Sequence, residues 1–206
     1  MRETAFLLCG GRGRRFGSDK RFITVGGMPL FQFQLEKLKM CFPRTALLCK
    51  KGEEHLFRSG GVPVFAEEEQ DSSLLCGIIA GLSRTGGESA LFLSVDMPLV
   101  PLSAILFFRD YPPAPVPVIP MVENRLQPGF GIYPGDSLAE LRACREQGIY
   151  RFSEILPRLG AMMLGENDLP FMTSSRDCML NINRPEDLAR LREKHPNFET
   201  KEFGIC

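Results

Sequence analysis

The chain has 206 residues, 44% of them hydrophobic and 24% charged, and its 25 Lys and Arg balance 25 Asp and Glu. This composition fits one domain long enough to bury a full α/β core, and the balanced charge excludes the basic excess expected of a nucleic-acid binder. The 7 cysteines are odd in number and contain no C-x-x-C pair, which excludes a zinc site or a disulfide framework and reads as reduced, mostly buried thiols.

The first element is the apolar run 5–9, read as a buried strand. It offers five apolar residues before Gly10, too few for the apolar region of a signal peptide. No later run approaches a membrane span, so a cytoplasmic protein without a membrane partner is expected. Directly after this strand comes Leu8-Cys9-Gly10-Gly11-Arg12-Gly13-Arg14-Arg15-Phe16-Gly17-Ser18-Asp19-Lys20, with four glycines in eight positions; residues 12–21 carry five basic side chains against one acid. Glycine lets backbone N–H groups approach an anion closely and adopt positive φ, so the loop reads as a phosphate cradle; a solvated basic loop is the plainer alternative. Its spacing is not that of a Walker loop, because no hydroxyl follows Lys20. Nor is it G-x-G-x-x-G, because Gly11, Gly13 and Gly17 are spaced G-x-G-x-x-x-G.

Further strands are expected over 45–49, 62–66, 90–95, 116–121 and 179–182. They alternate with helices over 30–40, 53–58, 75–84, 103–108, 137–146 and 186–194. This alternation predicts a single three-layer, Rossmann-like α/β domain over 1–206 with a mostly parallel mixed sheet, residues 196–206 forming a flexible tail. Five prolines in the nine residues from Pro112 read as a stiff connection into an edge strand. In such sheets ligands bind beyond the carboxyl ends of the strands. Asp96 follows strand 90–95 and belongs at that edge. Magnesium commonly takes only one or two protein carboxylates, so this single Asp suffices as its ligand; a cap for the turn near Pro101 is the alternative. His55 and His195 sit in polar helical surroundings and read as surface residues.

The pattern L-x-G-G-x-G-x-R-x-G-x-x-K is similar to the signature loop of nucleotidyltransferases that activate sugars and cofactors. Gly10-Gly11, the Phe-Gly-Ser-Asp-Lys ending and Gly27-Met28-Pro29-Leu30 most resemble the molybdenum cofactor guanylyltransferases. Gly77-Ile78, Val95-Asp96-Met97-Pro98, Gln127-Pro128 with Tyr133, and Asn181-Ile182-Asn183 before Pro185-Glu186-Asp187-Leu188 follow in the matching order, so the resemblance spans about 6–191. It implies a nucleotide-diphospho-sugar transferase-like fold. It also implies transfer of GMP from GTP to the terminal phosphate of molybdopterin, with release of pyrophosphate. Mg2+ is the implied cofactor, and the cofactor-insertion machinery and acceptor molybdoenzymes are further implied partners of a monomer or weak oligomer.

On this resemblance Leu8, Cys9, Gly10, Gly11, Arg12, Gly13, Gly17 and Lys20 hold nucleotide phosphates. Lys20, with Arg15 beside it, stabilises charge at the transferred group, and Asp96 holds the metal. Positioning and neutralised oxygens are most of what phosphoryl-type transfer needs. The attacking pterin phosphate is largely dianionic at neutral pH and requires no general base. Glu67, with Asp71 as fallback, is expected near the base; the acidic run 67–69 reads equally as solvated surface. Gln127, Asn181, Asn183 and Arg151 are expected to face the pterin, although Asn183 also reads as a helix N-cap.

Three segments depart from the family's usual pattern: Ser73-Leu74-Leu75-Cys76-Gly77, the glycines of Gln127-Pro128-Gly129-Phe130-Gly131, and Cys49. The first borders the nucleotide and bears on base preference. The rival expectations are a cytidylyltransferase for the same pterin, an enzyme charging a sugar or alditol phosphate, and a regulatory module that binds nucleotide without turnover. A glycosyltransferase would want a D-x-D motif, which Asp96-Met97-Pro98 lacks.

Overall fold

In the computed structural model, residues 2–10, 19–67, 73–173 and 176–195 are described. In chain order the elements are β1 (Thr4–Leu8), β2 (Thr24–Val25), β3 (Met28–Pro29), α1 (Leu30–Cys41), β4 (Arg44–Cys49), β5 (Val64–Ala66), α2 (Leu74–Leu82), β6 (Ala90–Ser94), α3 (Leu102–Asp110), β7 (Val118–Val122), β8 (Arg125–Leu126), β9 (Phe130–Tyr133), α4 (Ser137–Glu146), α5 (Phe152–Arg158), β10 (Met162–Leu164) and α6 (Pro185–Lys194). The main sheet runs β10-β7-β9-β6-β1-β4-β5, with β8 paired to β7, while β2 and β3 form a separate hairpin. Pairing is parallel among β6, β1, β4 and β5 and between β10 and β7; β9 runs antiparallel to both β6 and β7.

Successive side chains of a strand point to opposite faces, and β1 shows the result. Ala5 and Leu7 join one core with α1, α3 and α6, whereas Phe6 and Leu8 join a second core with α2, α4 and α5. The fold is therefore the expected three-layer α/β sandwich with a mostly parallel sheet. Among the described residues no helix is long and apolar enough to cross a membrane. Arg2 donates to the carbonyls of Phe108 (3.0 Å), Tyr111 (2.7 Å) and Pro112 (3.2 Å), closing the end of α3, where carbonyls lack helical partners.

Four expectations are corrected. The run 179–182 is not a strand: Met179 and Ile182 are buried while Leu180 is 42% exposed. That spacing of three suits the 3-10 turn Arg176–Met179 and the irregular run after it, not a pleat. The strand expected at the sheet's edge is interior, because β10 pairs alongside β7. Pro120 is tolerated within β7 because the register with β9 is confined to Val118 opposite Ile132. The helix expected over 53–58 is a 3-10 turn, Glu54–Gly60. Arg184, not Asn183, is the N-cap of α6, and the Asp187 carboxylate accepts from the N–H groups of both (2.9 Å each).

The two glycines after Pro128 have a packing reason. A Cβ on Gly131 would stand 2.7 Å from the Val118 carbonyl oxygen, and one on Gly129 would stand 3.1 Å from the Ser94 Cβ. Only glycine lets β9 lie this close to β7. The expected tail 196–206 lies outside the described residues.

Candidate active site

At the carboxyl ends of β1 and β6 the chain brings together groups far apart in sequence. Lys20 opens the 3-10 turn Lys20–Phe22, and its Nζ donates to Asp96 Oδ2 at 2.7 Å and to the Ile182 carbonyl at 3.3 Å. The other carboxylate oxygen of Asp96 accepts from Ser94 Oγ at 2.6 Å. The Asp96 carbonyl in turn accepts from the Ile182 N–H at 2.7 Å, and the Ser94 N–H donates to the Gly129 carbonyl at 2.7 Å. The Asp96 carboxylate is thus fixed from both sides and is no cap for α3, which begins after Pro101.

An open cleft of about 370 Å³ surrounds this carboxylate. Leu8, Gly10, Glu67, Ser73 and Leu74 line it from the β1, β5 and α2 part of the fold, and Leu126, Gln127, Pro128, Gly129 and Asn181 from the β8 and 181–182 part, with Ser94, Asp96 and Met97 as further lining. Glu67 is 1% exposed, which excludes the solvated-surface reading for this residue. Gly77 lies against both residues: a Cβ there would stand 2.7 Å from Leu8 Cδ2, so the Leu8 side chain would have to shift, and 3.5 Å from Glu67 Oε1. Tyr133 is buried and donates its hydroxyl to the Pro128 carbonyl at 2.8 Å, holding the turn that carries Gln127. Burial pushes its phenol pKa up.

Arg21, which is 0% exposed, joins Asp19 to Cys9. Its guanidinium donates to Asp19 through Nε (2.8 Å) and Nη2 (2.5 Å), and through Nη1 to Glu53 Oε2 (2.5 Å) and the Cys9 carbonyl (2.9 Å). Burial opposes its charge, but the hydrogen bonds from Asp19 and Glu53 more than offset this and raise its pKa.

On α1, Gln34 Nε2 donates to the Met97 carbonyl at 2.7 Å, and Lys37 Nζ to the Pro98 and Val100 carbonyls at 2.6 and 2.8 Å. Burial lowers the Lys37 amine from its ordinary 10.5 to about 7. Between those values the unfolded chain holds a proton that the folded chain has released, so stability rises with pH across that window. Below pH 7 the cost of the buried charge is fully present. In urea denaturation the protein should therefore gain about 2 kcal/mol more between pH 7 and pH 9 than its Lys37→Met variant does. Equal slopes would contradict the assignment.

Of the residues singled out in the sequence, Leu8, Gly10, Glu67, Asp96, Gln127 and Asn181 line the cleft, and Lys20 reaches its central carboxylate. Cys9 does not present itself to a ligand. Its side chain is 0% exposed, its N–H donates to the Leu48 carbonyl (2.8 Å) and its carbonyl is taken by Arg21. Burial raises its thiol pKa well above the usual range, leaving it inert. Asn183 is exposed at the foot of α6, and Arg151 is exposed at the N-terminus of α5, outside the cleft lining. Gly11, Arg12, Gly13, Arg15, Gly17 and Asp71 lie outside the described residues.

Sequence reasoning missed Ser94, Gln34, Lys37 and the structural use of Arg21. Only Ser94 carried a signal, since it is the one polar residue of the apolar strand β6 and stands two positions before Asp96, on the same side of the chain. Among the described residues no three His, Cys, Asp or Glu form a metal cluster. The single Asp96 carboxylate beside a hydroxyl instead matches the donor set of magnesium, which completes its shell with water and phosphate oxygens.

The chain matches the family model described as the MobA-like NTP transferase domain over residues 5–161. It is 31% identical to a molybdenum cofactor guanylyltransferase of Cereibacter sphaeroides, over 92% of this chain and 95% of that one. It is 27% identical to a probable molybdenum cofactor guanylyltransferase of Aquifex aeolicus, over 92% of this chain and 90% of the relative. The crystal structure of molybdopterin-guanine dinucleotide biosynthesis protein A from Archaeoglobus fulgidus superposes with a TM-score of 0.82 at 24% identity, covering 94% of this chain and 99% of that one.

Proposed function

The chain belongs to the MobA-like NTP transferase family and is a nucleotidyltransferase, and from that premise we propose that it transfers GMP from GTP to the terminal phosphate of molybdopterin. Pyrophosphate is released and molybdopterin guanine dinucleotide is formed. The observation that carries this reading is one cleft with Asp96 at its centre, bordered by Leu8, Gly10 and Glu67 from one part of the fold and by Gln127, Gly129 and Asn181 from another. Two phosphate-bearing substrates are accommodated by such an arrangement, each approaching the same carboxylate.

In the proposed reaction an oxygen of the dianionic pterin phosphate forms a bond to the α-phosphorus of GTP, and the bond from that phosphorus to the pyrophosphate oxygen breaks. Lys20 passes from Asp96 to the phosphate oxygens, where it offsets the charge that develops. Asp96, oriented by Ser94, would hold a magnesium ion that supplies positive charge to the nucleotide phosphates. Glu67 is buried at the nucleotide side and would accept from the N1–H and exocyclic amine of guanine. The backbone of 10–17 would cradle the triphosphate.

A panel of nucleoside triphosphates tests the reading. With magnesium, GTP should raise the melting temperature more than CTP or UTP, and only GTP with molybdopterin should release pyrophosphate rapidly. A preference for CTP would make the protein a cytidylyltransferase of the same pterin. Binding without product would make it a regulatory nucleotide-binding module.

A further inference from the structure

The Asp96 carboxylate is carried by a turn with little backbone support of its own. Two backbone bonds within it, from the Met97 N–H to the Ser94 carbonyl and from the Val100 N–H to the Met97 carbonyl, are both long at 3.3 Å. Beyond the Ile182 N–H on the Asp96 carbonyl at 2.7 Å, the short bonds to residues 97–100 come from α1, where Gln34 takes the Met97 carbonyl at 2.7 Å and Lys37 takes those of Pro98 and Val100 at 2.6 and 2.8 Å. Residues three apart lie on one helix face, and these two are 0% and 1% exposed. Such a choice is costly: a lysine amine is stripped of water, and Gln34 Oε1 has no hydrogen-bond partner among the described residues. A leucine or methionine at either position would fill the core without that cost. The expense is accounted for if the two side chains fix the Met97, Pro98 and Val100 carbonyls, which follow Asp96.

We infer that Gln34 and Lys37 are positioning residues that set the Asp96 carboxylate for its cation by holding the 97–100 carbonyls against α1. The inference rests on the proposed role of Asp96 as the carboxylate that binds the metal.

The test compares the full-length protein with Lys37→Met and Gln34→Met by amide hydrogen exchange without ligand, by Mn2+ titration in the presence of GTP, and by the Mg2+ dependence of pyrophosphate release. Exchange over 95–101 should accelerate about tenfold in each variant, with protection elsewhere within about twofold. Mn2+ should bind about fivefold more weakly, and the KM for GTP should change less than about twofold. Should Lys37→Met fail to fold, Gln34→Met carries the test, since it removes an unpartnered buried oxygen together with one donor. Acceleration spread evenly through the chain would mean general destabilisation and would overturn the inference, as would unchanged exchange over 95–101 or unchanged Mn2+ affinity. If Asp96→Asn leaves Mn2+ binding intact, the reading of Asp96 fails, while the exchange data still decide whether α1 holds the turn.

Discussion

Asp96→Asn is expected to abolish transfer, lowering the rate of pyrophosphate release about 10³-fold or more, while the protein still folds. The amide is nearly isosteric, so Ser94 Oγ keeps an acceptor within reach of its present 2.6 Å position. What disappears is the negative charge. An amide oxygen is a poor ligand for the hard divalent cation that the proposed function assigns to this carboxylate, and the ammonium of Lys20, now 2.7 Å from the carboxylate, faces a neutral group. Lys20 is 7% exposed, so a modest loss of stability, about 1–3 kcal/mol, should accompany the loss of activity.

Lys20→Ala should have a different signature. On the proposed mechanism transfer should fall by a similar factor, because the cation assigned to the transferred phosphate is gone, but Asp96 is left without the Lys20 ammonium and Mn2+ should bind the ligand-free protein more tightly than it binds wild type. Single-turnover pyrophosphate release paired with Mn2+ titration separates the two variants. Retention of a tenth or more of wild-type transfer by Asp96→Asn would remove this carboxylate from the mechanism.

The parts of this site that were legible in the sequence are those whose signal is local. An apolar strand and an acid directly after a second strand are read from neighbouring residues, and the sheet's topology then brings Lys20 and Asp96 together. The parts that were not legible depend on what lies across the fold. Glu67 heads an acidic run that suits surface as well as core, and its burial depends on neighbours distant in sequence, Gly77 of α2 among them. Lys37 and Gln34 sit in a helix with other polar residues and read as its wet face; their burial follows from the turn packed onto α1. Met179-Leu180-Asn181-Ile182 looks like a strand by composition, yet its buried residues are three apart and it crosses the ends of the sheet with one bond to Asp96. The edge position expected for β7 failed because β10 arrives from more than 40 residues later, through α4 and α5.

Arg21→Met is expected to be the most destabilising single change near the cleft, costing about 3–5 kcal/mol. Arg21 is one of the five basic residues of 12–21, but its guanidinium points into the protein, 5.1 Å from the Phe57 ring centroid, and its charge is committed to Asp19 and Glu53. Methionine fills much of the volume yet withdraws the cation from two carboxylates, one of them, Glu53, only 4% exposed. For a chain of this size that loss corresponds to a melting temperature lower by roughly 10 °C. Lysine should not rescue it, because one ammonium cannot reproduce a fork that reaches Asp19, Glu53 and the Cys9 carbonyl together. If the defect is the stranded carboxylate, Arg21→Met combined with Glu53→Leu should recover a good part of the lost stability, since replacing both members of a buried ion pair by apolar residues is often neutral. Nucleotide binding should not recover with it. The tie from Arg21 to Asp19 and to the Cys9 carbonyl closes the chain on either side of 11–18, so the double variant should melt close to wild type and still require about tenfold more GTP for half-saturation. A double variant that regained both properties would show that Arg21 serves stability alone.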